Sequence, residues 1–188
     1  MRKIFITGIG TDVGKTIVSS VLTEALHADY WKPIQTGNYY GTDTEFVKKL
    51  VGNEKSKFHK EAYSYEPSLS PHAAAQAMGE EIDVNRILLP TTENTLIIEG
   101  AGGVMVPITQ NFLIIDLIKK FDAEVILVVQ HYLGSINHTL LSIEFLKSQK
   151  VNFKGIIFNG SPQKSSEDVI IKYSQVPVLG YINKEAHI

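Results

Sequence analysis

The sequence predicts a single α/β domain over residues 1–188, with a mostly parallel sheet and helices on both of its faces. Three observations carry that prediction. Short apolar runs alternate with segments of helical periodicity, at the spacing of strand–helix–strand units. Two of the runs, residues 95–98 and 124–129, are almost wholly apolar, as in strands covered on both faces. The first run, Ile4-Phe5-Ile6-Thr7, passes through Gly8-Ile9-Gly10-Thr11-Asp12-Val13-Gly14-Lys15-Thr16 into a helical segment.

That glycine-rich stretch has the composition of a phosphate cradle. Glycines let successive backbone N–H groups point inward, and the helix start that follows adds a partial positive charge. Lys15 is placed to reach the terminal phosphates of a nucleotide and the Thr16 hydroxyl to ligate Mg²⁺. The spacing is a variant of the usual one, because Ile9 stands five residues before Gly14 and Gly8 one further back. Gly8, Gly10 and Gly14 also fit a dinucleotide-binding turn. The Gly-Lys-Thr ending favours the phosphate loop, since a dinucleotide turn has no use for a lysine followed by a metal-binding hydroxyl.

The helix after the loop has Val18, Val21, Leu22 and Ala25 at apolar-face spacing. Residues 30–34 read as a second strand leading into Gln35-Thr36-Gly37, with Lys32 at its end beside a loop. Pro33 keeps Lys32 extended. Lys32 has two readings: a site lysine, or one that snorkels to solvent from an edge strand. Thr42 or Asp43 caps a helix whose apolar face is Phe46, Val47, Leu50 and Val51. Ser70 and Pro71 open another helix, and residues 83–89 predict a short one. The strand at 95–98 ends in Glu99-Gly100-Ala101-Gly102-Gly103. An acid at the carboxyl end of a buried strand lies where α/β sheets hold ligands, and no helical pattern begins before about Phe112 for it to cap. A helix over 113–121, the strand at 124–129, a helix from the Leu133–His138 region to about Gln149, a strand within 151–159, a helix over 166–173 and a strand over 177–182 complete the chain.

Composition excludes several chemistries. With no cysteine there are no disulfides, thiolate metal sites or cysteine nucleophiles. A net charge of −2 without a Lys/Arg cluster gives no nucleic-acid footprint. The six histidines lack metal-site spacing, and no Gly-x-Ser-x-Gly elbow exists. No run has the length of a membrane span, and the apolar run after Arg2 and Lys3 is too short for a signal peptide. These features predict a soluble, cytoplasmic protein.

Several blocks together resemble the dethiobiotin synthetase family. Its phosphate-loop pattern T-G-T-D-T-E-V-G-K-T meets Thr7-Gly8-Ile9-Gly10-Thr11-Asp12-Val13-Gly14-Lys15-Thr16, and its K-P-V-x-[ST]-G meets Lys32-Pro33-Ile34-Gln35-Thr36-Gly37. Its E-G-A-G-G is present unchanged at 99–103. Ser70-Pro71-His72, Leu133-Gly134 with Ile136-Asn137-His138, Asn159 and Pro177-x-Leu179-Gly180 match further blocks in family order. The resemblance implies a homodimeric enzyme that carboxylates 7,8-diaminononanoate, phosphorylates the carbamate with ATP and closes a ureido ring. It implies nucleotide contacts from Thr11, Asp12, Val13, Gly14, Lys15 and Thr16, from Glu99, Gly100, Ala101 and Gly102, and from Asp43, Asn159, Pro177, Val178 and Leu179. Mg²⁺ would be held by Thr16, Asp43 and Glu99, with Lys15 and Lys32 acting in catalysis. Thr36 would contact the substrate, and Asn137 and His138 of one subunit would receive the substrate carboxylate of the other. Asp12 stands where the family has Glu, and Ile9-Gly10 replaces Thr-Asp. Asn183 replaces Pro shortly before Ile188, which leaves the preferred base open.

Three other readings compete. A cobyrinic acid amidotransferase-type synthetase shares the loop but carries a glutaminase domain with a catalytic cysteine. A partitioning or division-site ATPase has a signature lysine early in its loop, and none lies between Gly8 and Gly14. A dinucleotide reductase needs a Tyr-x-x-x-Lys pair, which none of the eight tyrosines supplies.

Overall fold

A computed structural model describes residues 1–39 and 41–183; Ile188 lies outside the described residues. The main sheet has seven strands, all parallel, in the order β11-β10-β9-β1-β6-β2-β4. These are β1 (Lys3–Gly8), β2 (Asp29–Trp31), β4 (Phe58–His59), β6 (Leu96–Gly103), β9 (Glu124–Gln130), β10 (Asn152–Asn159) and β11 (Val178–Ile182). Two small ribbons flank it: β3 (Ile34–Thr36) with β5 (Tyr63–Tyr65), parallel, and β7 (Pro107–Thr109) with β8 (Phe112–Leu113), antiparallel. The helices are α1 (Lys15–Leu26), α2 (Asp43–Leu50), α3 (Pro71–Ala77), α4 (Ile114–Phe121), α5 (Ser135–Ser148) and α6 (Lys164–Ser174).

From β1 the chain crosses outward to β2, whereas from β6 it crosses the other way to β9, β10 and β11. Right-handed crossovers therefore put α1 and α2 on one face and α4, α5 and α6 on the other, and α1 packs on α2 as α5 packs on α6. The change of direction falls between β1 and β6, and the carboxyl ends of these two adjacent strands carry the phosphate loop and the Glu99–Gly103 block. That is the switch point at which open α/β sheets hold ligands. Central residues Phe5, Ile6, Ile97, Ile98, Leu127 and Val128 are buried, which explains why their strands read as unbroken apolar runs.

Some elements differ from the sequence reading. Pro33 divides the predicted 30–34 strand: β2 stops at Trp31 and Ile34–Thr36 pairs instead with Tyr63–Tyr65, because proline cannot donate to the ladder. The face of α1 turned inward is Val18, Ser19 and Thr23, while Val21 and Ala25 are exposed. Small polar side chains on that face let the helix lie close to the sheet. In α2 only Val47 is buried; Phe46 and Leu50 face outward. Residues 83–89 hold only a 3₁₀ turn, Val84–Arg86. The short strands β4, β5, β7 and β8 fall below the length at which alternation is legible.

Candidate active site

Gly14 caps the start of α1 with φ +91°, a left-handed conformation, and a Cβ there would meet the Asn159 side-chain nitrogen at 2.0 Å. Both facts demand glycine. The same Asn159 amide donates to the Val13 carbonyl at 3.1 Å, so β10 braces the loop from behind. On the other side Gly103 pairs with Gly8, where a Cβ would lie 3.2 Å from the Gly8 carbonyl oxygen. The glycines of the Glu99–Gly103 block thus allow two backbones to run almost in contact.

Lys15 folds back over the loop and donates to the Gly10 carbonyl at 2.9 Å. Burial, and then the neighbouring Lys32 ammonium, lower its pKa to about 8. A phosphate beside it would supply the counter-charge that the carbonyl only partly replaces.

Beneath Lys15 four groups converge. The Thr16 hydroxyl lies 2.9 Å from Glu99 Oε1 and 3.2 Å from Asp43 Oδ1. Lys32 Nζ bridges the two acids, paired with Asp43 Oδ2 and 3.1 Å from Glu99 Oε1. Glu99 is 1% exposed and Lys32 5%. Burial alone would lower the Lys32 pKa, but Glu99 and then Asp43 outweigh it and raise the value, so the side chain is a fixed cation. The snorkelling alternative for Lys32 is therefore ruled out by its burial. The remaining Glu99 oxygen accepts from the Tyr30 hydroxyl at 3.0 Å. Burial, followed by Glu99, pushes the Tyr30 pKa well above its ordinary value and keeps the phenol a donor.

Thr42, not Asp43, is the cap of α2: it accepts from the Glu45 N–H while Glu45 accepts from Thr42 N–H. The Asp43 carboxylate is thereby released to face the loop. Gln35, 4% exposed, accepts from the Asp43 N–H at 3.0 Å and donates to the Thr36 carbonyl at 2.9 Å. Thr44 on the same turn donates to Glu61 at 2.5 Å.

The donor set can be tested for a divalent cation. Oxygen ligands at 2.0–2.1 Å in an octahedron stand about 2.9 Å apart when adjacent. The Thr16 hydroxyl has that separation, within a few tenths of an ångström, from one oxygen of Asp43 and one of Glu99, and one hydroxyl with two carboxylates is the hard, oxygen-only set that Mg²⁺ takes alongside phosphate and water. The residues fit.

Other predicted residues lie further off. Thr11 faces Gly102, whose Cβ position is 3.6 Å from the Thr11 hydroxyl. Asp12 (φ +57°) is exposed on the loop, while Gly100 and Ala101 run inside β6 beside β1. Asn137 and His138 are exposed in the first turn of α5, after Gly134 at φ +100°. His138 Nδ1 lies 2.9 Å from the Tyr132 hydroxyl, which itself comes within 3.9 Å of the Cβ position of Gly10. The register pairs Val178 with Ile156 and Gly180 with Ile157, on a level with Gly8 through Val128. Val178 and Leu179 hence occupy the opening half of β11, with Pro177 just before it, below the loop; Asn159 and Ile182 are the pair that reaches its rim. Sequence reading passed over Tyr30, Gln35, Tyr132 and Glu61. Tyr30 had a signal, lying two residues from Lys32, but only the neighbouring strand reveals Glu99 as its partner.

A profile described as AAA domain matches residues 2–188. ATP-dependent dethiobiotin synthetase BioD of Christiangramia forsetii is 52% identical over 186 residues, covering 99% of this chain and 89% of that protein. The protein of the same name from Cytophaga hutchinsonii is 50% identical over 189 residues, covering 100% and 91%. Among solved structures, a ParA family ATPase from Chlorobium tepidum aligns with TM-score 0.62 at 11% identity, covering 98% of this chain and 84% of that one. The cell division ATPase MinD of Pyrococcus furiosus aligns with TM-score 0.53 at 15%, covering 98% and 84%. At such identities these two share the fold alone. Half of all residues held in common over nearly the full length is a closer tie, and by it the chain belongs to the ATP-dependent dethiobiotin synthetase family.

Proposed function

We propose that this enzyme, acting as one domain in each subunit of a homodimer, forms dethiobiotin from 7,8-diaminononanoate, CO₂ and ATP. The observation that carries the reading is the convergence of two lysines, a hydroxyl and two carboxylates at the mouth of a phosphate loop. One amine of the substrate adds to CO₂ and loses a proton, giving a carbamate. A carbamate oxygen attacks the γ-phosphorus, ADP leaves, and a carbamic–phosphoric anhydride results. The second amine then attacks its carbonyl carbon, loses a proton, expels phosphate and closes the ring.

Each step crowds negative charge, and the protein's task is to position and neutralise it. Lys15 and the amides of the loop from Thr11 to Thr16 hold the β- and γ-phosphates, with Gly100, Ala101 and Gly102 lining the opposite wall. Lys32, held cationic by Asp43 and Glu99, faces the carbamate and the phosphoryl group in transfer. Thr16, Asp43 and Glu99 would hold Mg²⁺, which when bound neutralises phosphate charge. Thr36 contacts the diamine chain. Asn159, at the rim of β10, is the residue nearest to a base among those assigned to the nucleotide; Pro177, Val178 and Leu179 act at most by setting the edge of β11. The N-terminus of α5, at Asn137 and His138, receives the carboxylate of the substrate bound by the partner subunit. Leu133, fully exposed just before that helix, and exposed Met105 and Leu141 are apolar groups of the kind a subunit interface covers.

The test is ADP release with ATP, Mg²⁺ and bicarbonate, with and without the diamine. Release that requires the diamine, with dethiobiotin among the products, supports the proposal. Release indifferent to the diamine but dependent on protein concentration, DNA or lipid would replace it with a nucleotide-switch function, which the shared ParA and MinD fold would accommodate.

A further inference from the structure

Among the described residues the Gln35 side chain hydrogen-bonds neither the phosphate loop nor a carboxylate, yet it is 4% exposed and joins two parts of the site. Its Oε1 accepts from the backbone N–H of Asp43, and its Nε2 donates to the carbonyl of Thr36. Only one amide orientation satisfies both bonds, so the side chain has a single arrangement. The Asp43 N–H is one of the free donors at the start of α2. Thr42 already serves the Glu45 N–H, and Gln35 reaches in from another strand to serve this one. The short β3 ribbon that carries Thr36 is thereby tied to the turn that carries Asp43. Pro33 has separated that ribbon from the main sheet, and Gly37 after it takes φ +73°; besides Gln35, the Lys32–Asp43 pair ties the chain just before the ribbon to α2.

We infer that Gln35 is a positioning residue that couples the substrate-contacting strand to the metal-holding turn, so that the divalent-cation nucleotide complex and the diamine each bind to a site the other's residues help to align. This rests on the assignments of Asp43 and Thr36 made above. It predicts that one amide influences two ligands, and that its two hydrogen bonds are separable. In Gln35→Met both bonds are lost. In Gln35→Glu the oxygen that accepts from Asp43 N–H remains while the donor to Thr36 is lost.

Binding of Mn²⁺ with ADP, followed by the loss of free-Mn²⁺ electron paramagnetic resonance signal, reads the metal arm without turnover. The diamine KM in steady-state ADP release reads the other. Thr44→Val serves as a control, because it removes the Thr44–Glu61 bond from the same helical turn and leaves the Asp43 N–H untouched. Gln35→Met is expected to weaken Mn²⁺–ADP binding about tenfold and to raise the diamine KM by a similar factor. Gln35→Glu is expected to keep Mn²⁺–ADP binding within about twofold of the parent while raising the KM. Thr44→Val is expected to lower the melting temperature with both binding constants unchanged. Equal binding by Gln35→Met and the parent would overturn the coupling, as would parallel losses in Gln35→Met and Thr44→Val, which would reduce Gln35 to a helix cap. A Gln35→Glu variant that loses Mn²⁺–ADP binding would overturn the assignment of its oxygen. Failure of the parent itself to bind Mn²⁺–ADP would instead remove the metal-site reading on which the inference stands.

Discussion

Lys32 shows how a single side chain takes its chemistry from its neighbours. Two carboxylates within bonding reach keep it charged despite burial, and the same contact keeps the carboxylates from repelling each other. Lys32→Met should therefore cost about 10²–10³-fold in kcat while nucleotide binding at Lys15 persists; ADP release set against nucleotide titration checks the split. Tyr30→Phe makes a milder test. It strips Glu99 Oε2 of its hydroxyl donor and should lower stability by about 1–3 kcal/mol, measured by chemical denaturation, with kcat reduced far less than by loss of Lys32. The sequence marked Lys32 and Glu99 because of the glycines and the proline beside them. It was silent on Tyr30 because a tyrosine in an apolar strand looks the same whether or not a carboxylate waits on the next strand.

At the scale of elements, the edge of the sheet is closed by Asp29 at the start of β2. Its buried carboxylate accepts from the Lys57 N–H at 3.0 Å and the Asn94 amide at 2.9 Å, with His59 Nε2 at 3.0 Å from the other oxygen. Burial acts to raise its pKa, yet the bonds from Asn94 and then Lys57 outweigh it and hold it below the usual aspartate range. A depressed acid contributes stability that is complete above its unfolded pKa, about 3.9, and is lost as pH falls through the lower folded value. Denaturation midpoints should consequently drop below about pH 4 in the parent and less steeply in Asp29→Asn, which should be less stable by about 1–3 kcal/mol at neutral pH. The loop before α1 offers a second test. Gly14→Ala drives a methyl into Asn159 and holds alanine at a positive φ, and should abolish nucleotide binding at a stability cost of about 1–3 kcal/mol, seen by titration and thermal melting. The long elements were legible in the sequence because five or more residues repeat a pattern. The two ribbons were not, and the division of the 30–34 strand depended on which partner Ile34 would find across space.

Over the whole molecule, the proposed site is complete only when a second subunit brings its α5 helix start to the substrate. Leu133→Asp, at a fully exposed position, should leave thermal stability at low protein concentration nearly unchanged, shift sedimentation towards the monomer, and reduce diamine-dependent ADP release more than about tenfold by removing the carboxylate receptor. Retained dimer and activity would show that the site needs no partner at this face.

By itself the sequence determined the phosphate loop, the alternation of strands and helices and the acids and lysines around the site, because these are local: glycine freedom, apolar period and neighbouring residue type act within a few positions of the chain. Tertiary structure alone decided that β6 lies beside β1, that Lys32 binds two acids rather than solvent, that Asn159 braces Gly14, and that Pro177 and its neighbours lie below the rim. Each of those depends on strand order and register, which join residues from 11 to 146 positions apart, and no local rule of composition or period extends that far.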